Sequence, residues 1–442
     1  MQRTTAWKRR LLYSPLLLVA FAFFAISAIA RADDDFERPP INYSKAKPNN
    51  AIERLQEKID AGKLELPFHA ERGYLSAVLN ALQVPQSSQV LVFSKTSLQR
   101  HRISPWSPRA IYFSDDLYIG FCRAGQVLEI SAVDPQLGTV FYTLDQEEAN
   151  RPRFTRQTDA CLTCHGSSQT KNVPGHILRS VYSDRAGEAI LSLGSFRVDQ
   201  TTTIDHRWGG WYVTGTHGKQ MHLGNLIIKN RNDRETIAKN PEGQNITNLT
   251  SFMDTSKYLT PHSDIVALMV LEHQAEAHNL IARASIQTRL ALHDQALLNK
   301  ELGRASDSYS ETTERRIRNV GDSLVRYLLF SGEAKLTDKI QGTSTFAADF
   351  AKNGPRDKKG RSLREFDLER RVFKYPCSYL IYSESFEKMP KAIKDYVYQQ
   401  MHDVLTDRHY GGGFGHLDAS DRQAILEILR DTKKDLPDYW RK

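Results

Sequence analysis

The order of hydrophobic and polar positions changes several times along this chain of 442 residues. Residues 1–32 hold an apolar run behind basic residues, residues 33–50 are polar and irregular, and the stretch around 51–61 predicts a short helix. Strand-like runs then occupy residues 87–199, and helical periodicity dominates after residue 244. This succession predicts a β-rich part followed by a helical part.

The β-rich part is predicted from runs of β-branched and aromatic residues, each bounded by Asp, Gly, Pro or Ser. These runs are residues 88–94, 110–113, 117–121, 139–144 and 189–198. In the helical part, Thr260 followed by Pro261 predicts an N-cap and a first helical turn, from which a long helix runs to about Leu298. Further helices are predicted at residues 312–329, 391–405 and 420–432.

The first 32 residues have the composition of an export signal. Four basic residues at positions 3–10 precede the apolar run 11–30, and small residues follow at 28–32. This combination is typical of a cleaved secretory signal peptide. An uncleaved membrane anchor is the alternative, because about twenty apolar residues can span a bilayer. In both cases we expect the body of the chain outside the cytoplasm, as a periplasmic or secreted protein.

The formal charge of +8 gives little support to a nucleic-acid partner. Five of the basic residues lie in residues 1–32, which contain no acid, so cleavage leaves about +3. The sequence has no basic stripe with interleaved aromatic residues. No apolar run beyond residue 30 is long enough for a membrane span. We therefore expect no nucleic-acid binding, and membrane contact only if the N-terminal segment is uncleaved.

Residues 161–166, Cys-Leu-Thr-Cys-His-Gly, contain the CxxCH pattern of c-type haem attachment. In such a site each thiol adds across one vinyl group of the haem, and the adjacent histidine gives the iron its proximal nitrogen ligand. We therefore predict one covalently attached haem c on Cys161 and Cys164, with His165 as the proximal iron ligand. This attachment takes place outside the bacterial cytoplasm, in agreement with the export signal.

Two other uses of a CxxC pair are compatible with the sequence. A structural zinc site needs four ligands, so Cys122, Cys377 or a distant histidine would have to contribute. A dithiol redox motif expects a βαβ setting and does not need the adjacent histidine. If haem takes the middle pair, Cys122 and Cys377 are left, either as one disulfide or as two buried thiols.

The second ligand of the iron has several candidates. Residues 207–225 combine glycines with aromatic residues and contain His217, Met221 and His222. The predicted long helix contributes His273, which lies in an apolar stripe with i, i+3, i+4 spacing. A histidine in such a stripe is usually a hydrogen-bonded core residue, but a haem that needs a partner makes His273 the strongest single candidate for the distal ligand. The candidate donors to the anionic haem propionates are His176, Arg153, Arg156 and Arg179.

These features together predict an α+β fold. A β-rich N-terminal half that bears the haem is expected to pack against a mainly α-helical C-terminal half. The expected division is a signal peptide (1–32), an N-terminal extension with a short helix (33–85), a β-rich region with the CxxCH haem site (86–240) and a helical region (241–442).

The CxxCH sequence resembles the cytochrome c superfamily. Longer strings resemble a narrower family, the large secreted cytochrome c domain-containing proteins of Gram-negative bacteria, and the resemblance covers most of the chain from about residue 90 to 440. The strings that carry it are residues 207–218, 258–274 and 373–383. The resemblance implies covalent haem c through Cys161 and Cys164, with His165 as an axial ligand, and it implies no substrate.

Three functions are compatible with these features. We expect an exported c-type cytochrome that binds one haem for electron transfer with an unidentified redox partner. The alternative is a haem enzyme, peroxidase- or reductase-like, whose distal site is open or displaceable and whose distal histidine acts as an acid–base group. In a third hypothesis the haem stabilises a structural or partner-docking protein. Motifs and fold do not decide among these functions.

Overall fold

A seven-stranded antiparallel sheet organises the N-terminal half of the protein. The computed structural model describes residues 34–441 except 231, 233–236, 238, 306–307 and 408–411. The expected signal peptide, residues 1–32, lies outside the described residues. Within the described part of the chain, nine helices accompany the sheet, and most of them lie in the C-terminal half. The protein is therefore α+β, which confirms the predicted fold class.

The strands of the sheet follow the spatial order β10-β1-β2-β3-β4-β5-β6. Their bounds are β1 (Val90–Val92), β2 (Arg109–Phe113), β3 (Leu117–Phe121), β4 (Val127–Asp134), β5 (Gly138–Asp145), β6 (Phe154–Gln157) and β10 (Trp211–Tyr212). Six shorter strands pair two by two: β7 (Arg179–Val181) with β9 (Ser195–Arg197), β8 (Ser183–Asp184) with β12 (Ile227–Ile228), and β11 (Gly215–Thr216) with β13 (Gln341–Gly342).

Some of the predicted strands are confirmed by the structure and others are not. Residues 110–113, 117–121 and 139–144 are confirmed as parts of β2, β3 and β5. The strand character predicted over 189–198 is found only towards its ends, where Ala189 forms an isolated bridge with Ser183 and residues 195–197 form β9; residues 191–193 between them are a 3-10 turn. The sequence analysis missed β4, in which polar and apolar side chains alternate because only one face of the strand is covered by the core.

The helices are α1 (Ala51–Asp60), α2 (Leu75–Ala81), α3 (Leu162–His165), α4 (Ile265–Glu301), α5 (Glu311–Leu328), α6 (Phe346–Lys352), α7 (Glu384–Glu387), α8 (Lys391–Leu405) and α9 (Ala419–Thr432). The helices predicted at 51–61, 312–329, 391–405 and 420–432 are thereby confirmed within a residue at each end. None of the helices in the described ranges combines the length and the apolar character that crossing a membrane requires.

The long helix α4 begins later than the sequence predicts. Its N-cap is Asp264, whose carboxylate accepts hydrogen bonds from the N–H groups of Val266 and Ala267. Thr260 instead lies against the sheet, where the side-chain amide of Gln89 donates to its carbonyl at 2.8 Å. The helix therefore begins only after Asp264, because the preceding residues form tertiary contacts beside the sheet. From there α4 runs for 37 residues.

The two faces of the sheet are covered differently, because side chains alternate along each strand. Tyr112, Ile119, Ile130 and Tyr142 lie side by side on one face. They share a buried core with apolar residues of α1 and α2, so the N-terminal extension covers this face. Its attachment includes a hydrogen bond from the amide of Asn50, the N-cap of α1, to the Tyr142 hydroxyl at 3.0 Å.

The opposite face carries Ile111, Gly120, Glu129 and Thr143 side by side. Helix α4 reaches this face through Leu271, and the segment that carries the CxxCH motif lies over the rest of it. A hydrophobic cluster joins apolar residues of β1 and β10 to α4 and the C-terminal helices. The sheet and the helices therefore share buried core, and the predicted boundaries near residues 85 and 240 stay predictions.

Candidate functional site

A single helical turn carries the CxxCH motif. Helix α3 follows β6, and the N–H of His165 donates to the carbonyl of Cys161 at 2.9 Å. Positions i, i+3 and i+4 of a helix lie on one side. The spacing of Cys161, Cys164 and His165 therefore puts both thiols and the imidazole on the same side of the turn. Cys161 is partly buried and Cys164 is exposed, and neither forms a disulfide.

Cys161, Cys164 and His165 line one cavity of about 340 Å³, which we call the motif cavity. Its floor is the sheet face described above, and its walls come from residues 96–98, residues 176–178 and α4. Most of its surface is apolar. Its volume falls within the range of about 300–1,000 Å³ that is usual for small-molecule and cofactor sites. The motif thus opens into a space of the right kind for a cofactor.

His165 is held in the tautomer that a metal ligand needs. Its Nδ1 lies 2.9 Å from the carbonyl oxygen of Gly175. A carbonyl only accepts hydrogen bonds, so Nδ1 carries the proton and Nε2 keeps its lone pair in the neutral ring. Burial lowers the pKa of His165, and the hydrogen bond to Gly175 opposes this shift in part. The neutral imidazole is therefore favoured near pH 7.

Helix α4 fixes the loop that orients His165. The side-chain oxygen of Asn279 accepts from the N–H of His176 at 2.8 Å, and its Nδ2 donates to the carbonyl of the same residue at 2.8 Å. The amide also donates to Glu276 at 3.1 Å. A Cβ atom at Gly175 would lie 2.1 Å from the Asn279 oxygen. Glycine at position 175 therefore allows Asn279 to hold the Gly175–His176 peptide, which in turn accepts the proton of His165.

The carboxylate of Glu276 is itself anchored in this buried network. Lys171 lies 3.1 Å and Arg197 3.7 Å from its Oε1, and its side chain is almost fully buried. Two cations therefore compensate the buried charge. The sequence analysis did not identify Asn279 or Glu276 as supporting residues, because their role depends on a loop about a hundred residues away in the chain.

His176 also reaches the motif cavity. Its Nε2 lies 2.9 Å from the Ser131 hydroxyl and its Nδ1 3.4 Å from that of Thr139. The ring packs 4.0 Å from that of Tyr118, and burial holds its pKa well below the usual value. The sequence analysis considered His176 as a propionate donor only. His176 lines the same cavity as His165, but both of its ring nitrogens lie near hydroxyl groups, so a role as iron ligand would require one of these contacts to break.

His273 does not line the motif cavity. Its Nδ1 donates to the side-chain oxygen of Gln200 at 2.5 Å, and its Nε2 accepts from the Ser378 hydroxyl at 2.8 Å. Its ring is stacked on Tyr327 and Phe330. Both nitrogens are thus used inside the core, where burial lowers the pKa of His273 to about 3. This placement favours the hydrogen-bonded core histidine over the distal ligand.

The other three distal candidates lie together but away from the motif. The rings of His217 and His222 are 4.6 Å apart. Backbone N–H groups donate to His217 Nε2 from Asn245 at 2.9 Å and to His222 Nδ1 from Gly224 at 3.0 Å. The Met221 side chain is exposed. In the described part of the chain, none of the three lines the motif cavity.

The remaining candidates are placed as follows. Cys122 and Cys377 are buried free thiols, and no disulfide joins them. Burial raises the pKa of Cys122 to about 12, so this thiol is protonated and unreactive. Among the described residues, Arg153, Arg156 and Arg179 do not line the motif cavity.

Neither alternative use of the CxxC pair gains support. Among the residues that the structure describes, no three His, Cys, Asp or Glu side chains are arranged to hold a metal ion, as a structural zinc site would need. The motif follows the antiparallel strand β6, whereas a thioredoxin-like dithiol expects a βαβ unit. Haem attachment through Cys161 and Cys164 stays a prediction.

Comparisons of this chain with protein-family models, with curated proteins and with solved structures gave no match. The resemblance to large secreted cytochrome c domain-containing proteins therefore stays a prediction.

Proposed function

We propose that this protein is an exported c-type cytochrome that binds one haem and transfers electrons with a redox partner. Cys161 and Cys164 would each add S–H across a vinyl C=C bond, so that a new S–C bond forms and the hydrogen goes to the neighbouring carbon. His165 would ligate the iron through Nε2. The bound haem would supply an iron centre that gains and loses single electrons.

The observation that carries the proposal is the hydrogen bond from His165 Nδ1 to the Gly175 carbonyl at 2.9 Å. Metal-binding histidines almost always donate their second ring N–H to such an acceptor, which fixes the tautomer and the ring orientation. Here the acceptor is held by Asn279 of a separate long helix. The imidazole next to the two thiols is therefore oriented before any ligand binds.

The surroundings of the cavity would then set the redox properties. Apolar side chains such as Phe141, Leu178 and Trp211 line its walls. A low dielectric disfavours the more highly charged ferric state, and burial is one of the factors by which a protein tunes a haem potential. The ring of Phe141 lies 4.9 Å from that of His165, so the expected ligand has an apolar neighbour.

The export signal and the chemistry of haem attachment support a location outside the cytoplasm. We therefore propose a periplasmic or secreted protein, anchored only if residues 1–32 are retained. The redox partner is unidentified.

A haem enzyme with an open or displaceable distal site is the second candidate. It is favoured by one observation: among the described residues, His273, His217, His222 and Met221 are absent from the motif cavity. An iron held by His165 would then lack the sixth ligand that these residues were expected to give. His176 lines the cavity and its neutral ring is hydrogen-bonded to hydroxyls, so it is a candidate for an acid–base role.

Pyridine haemochrome analysis of the denatured, exported protein tests the attachment. We expect a haem c spectrum and retention of haem after acid–acetone extraction. Cys164→Ser removes one thioether, and its haemochrome band should move towards that of a haem with one free vinyl group. The matched control Cys377→Ala removes a buried thiol away from the cavity and should keep the wild-type spectrum. Haem that is lost on extraction from the wild-type protein would contradict the proposal.

Low-temperature EPR and CO binding separate the two candidate functions. An electron carrier should have a low-spin, six-coordinate iron in both redox states and should bind no CO. A high-spin ferric signal with CO binding would favour the enzyme. His176→Ala is the informative variant, because a change from low spin to high spin would identify His176 as the sixth ligand.

A further inference from the structure

Arg109 lies on the floor of the motif cavity. A Cβ atom at Gly120, on the neighbouring strand, would come 2.3 Å from its Nη2 and 2.6 Å from its Nε. Glycine is disfavoured inside strands and often marks a place where another group approaches the backbone closely. Gly120 therefore provides the space in which the guanidinium crosses the sheet face.

Glu129 balances the charge of Arg109 without using all of its donors. The Nη2 atom lies 2.7 Å from Oε2 of Glu129. The same carboxylate accepts from the Ser97 hydroxyl at 2.8 Å and from the Gln99 amide at 3.1 Å. The Nε atom of Arg109 is buried and has no hydrogen-bond acceptor among the described residues. Because neighbouring protein atoms cover Nε, a group in the cavity can reach only the part of the Arg109 side chain that remains 20% exposed.

The rest of the motif cavity defines what a ligand of Arg109 would be. The walls are mainly apolar, and both thiols and His165 open into the same space. A guanidinium offers N–H donors in a planar fork that matches the two oxygens of a carboxylate. A ligand with an apolar body and a carboxylate, or a small oxyanion, fits this combination.

We propose that Arg109 is the anion-binding residue of the motif cavity and that it takes a carboxylate or an oxyanion of similar shape. Two sources supply this chemistry. One is a propionate of the haem, and this source rests on the proposed function. The other is a free carboxylate or oxyanion that enters the cavity from solution.

The test uses variants of the full-length purified protein. The double variant Arg109→Gln/Glu129→Gln removes the guanidinium and the carboxylate together. The net charge is therefore unchanged, and no charge is left unpaired. Arg109→Lys keeps the charge and loses the planar fork. Arg153→Gln is the control, because Arg153 is 73% exposed and pairs loosely with Asp60. The measurements are the propionate bending band in the resonance Raman spectrum and a formate titration followed in the haem spectrum.

If a haem propionate binds Arg109, the bending band shifts in the double variant and in Arg109→Lys, and formate has no effect. If a free anion binds, formate binds the wild-type protein saturably, and the double variant binds it at least tenfold more weakly. In both cases Arg153→Gln behaves as wild type. A double variant with the wild-type band and the wild-type formate response overturns the proposal.

Failure of the proposed function gives a different result. If the wild-type protein contains no haem c, the anion site is tested on the haem-free protein by the thermal unfolding midpoint. Formate should then raise the midpoint of the wild-type protein and not that of the double variant. A wild-type midpoint that does not respond to formate would reject Arg109 as an anion site.

Discussion

Replacing Asn279 by alanine tests how α4 orients His165. The substitution removes the amide that pairs with both the N–H and the carbonyl of His176, each at 2.8 Å. It also removes the donor to Glu276. The Gly175–His176 peptide would lose its partner on the helix, so the acceptor of the His165 proton would no longer be fixed.

The expected cost follows from the groups that are left unpaired. The N–H and the carbonyl of His176 are buried, and each unsatisfied buried polar group costs about 1–3 kcal/mol. The Asn279→Ala variant should therefore lose about 2–6 kcal/mol of unfolding free energy, which is a large part of the about 5–15 kcal/mol of a typical domain. The variant should still fold, with a looser ligand loop.

Two measurements are needed, urea unfolding for stability and the ferric EPR spectrum for the geometry of the iron ligands. Asn299→Ala is the matched control, because Asn299 is a buried residue of the same helix whose amide donates to the carbonyls of Ala305 and Ser308. Both variants should lose similar stability. Only Asn279→Ala should change the g-values or broaden the spectrum.

Two results would refute this reasoning. If Asn279→Ala loses stability but keeps the wild-type EPR spectrum, the helix holds the loop without orienting His165. If its stability equals that of the wild type, the two hydrogen bonds to His176 are replaced by others, and the estimate from unpaired groups is wrong.

Two further predictions concern pH and packing. The pKa of His273, lowered by burial to about 3, lies below the about 6.5 of a free imidazole, so the unfolded chain binds a proton that the folded protein excludes. The contribution of His273 to the unfolding free energy should be complete above pH 6.5 and fall below it by up to about 1.4 kcal/mol per pH unit. Urea unfolding at several pH values should show that the unfolding free energy of His273→Gln depends on pH less steeply than that of the wild type, by the equivalent of one proton. An equal dependence on pH in the two proteins would contradict this prediction. Gly120→Ala places a methyl group against Arg109 and should cost about 1–3 kcal/mol by overpacking. Gly415→Ala, where a Cβ meets open space, is its control in thermal unfolding, and equal midpoints would show that the guanidinium moves freely.

Local sequence determined the secondary structure where its signals were strong. The helices near 312–329, 391–405 and 420–432 follow from their periodicity and caps, and β2, β3 and β5 from their β-branched and aromatic residues. The start of α4 could not be predicted in the same way. Thr260 and Pro261 have the right chemistry for a helix start, but Gln89 of a distant segment holds them against the sheet. A local signal does not include a partner that lies far away in sequence.

For the functional site as well, the sequence predicted one part and the tertiary structure decided the other. The CxxCH pattern by itself predicted that Cys161, Cys164 and His165 act together. The structure added that they lie on one helical turn, where the i, i+3 and i+4 spacing puts them on the same side. Only the tertiary structure decided what faces them. It brings His176 and Arg109 into the motif cavity and places His273 in a separate aromatic core. An apolar stripe specifies that a histidine is buried, but packing against other elements decides which surface buries it.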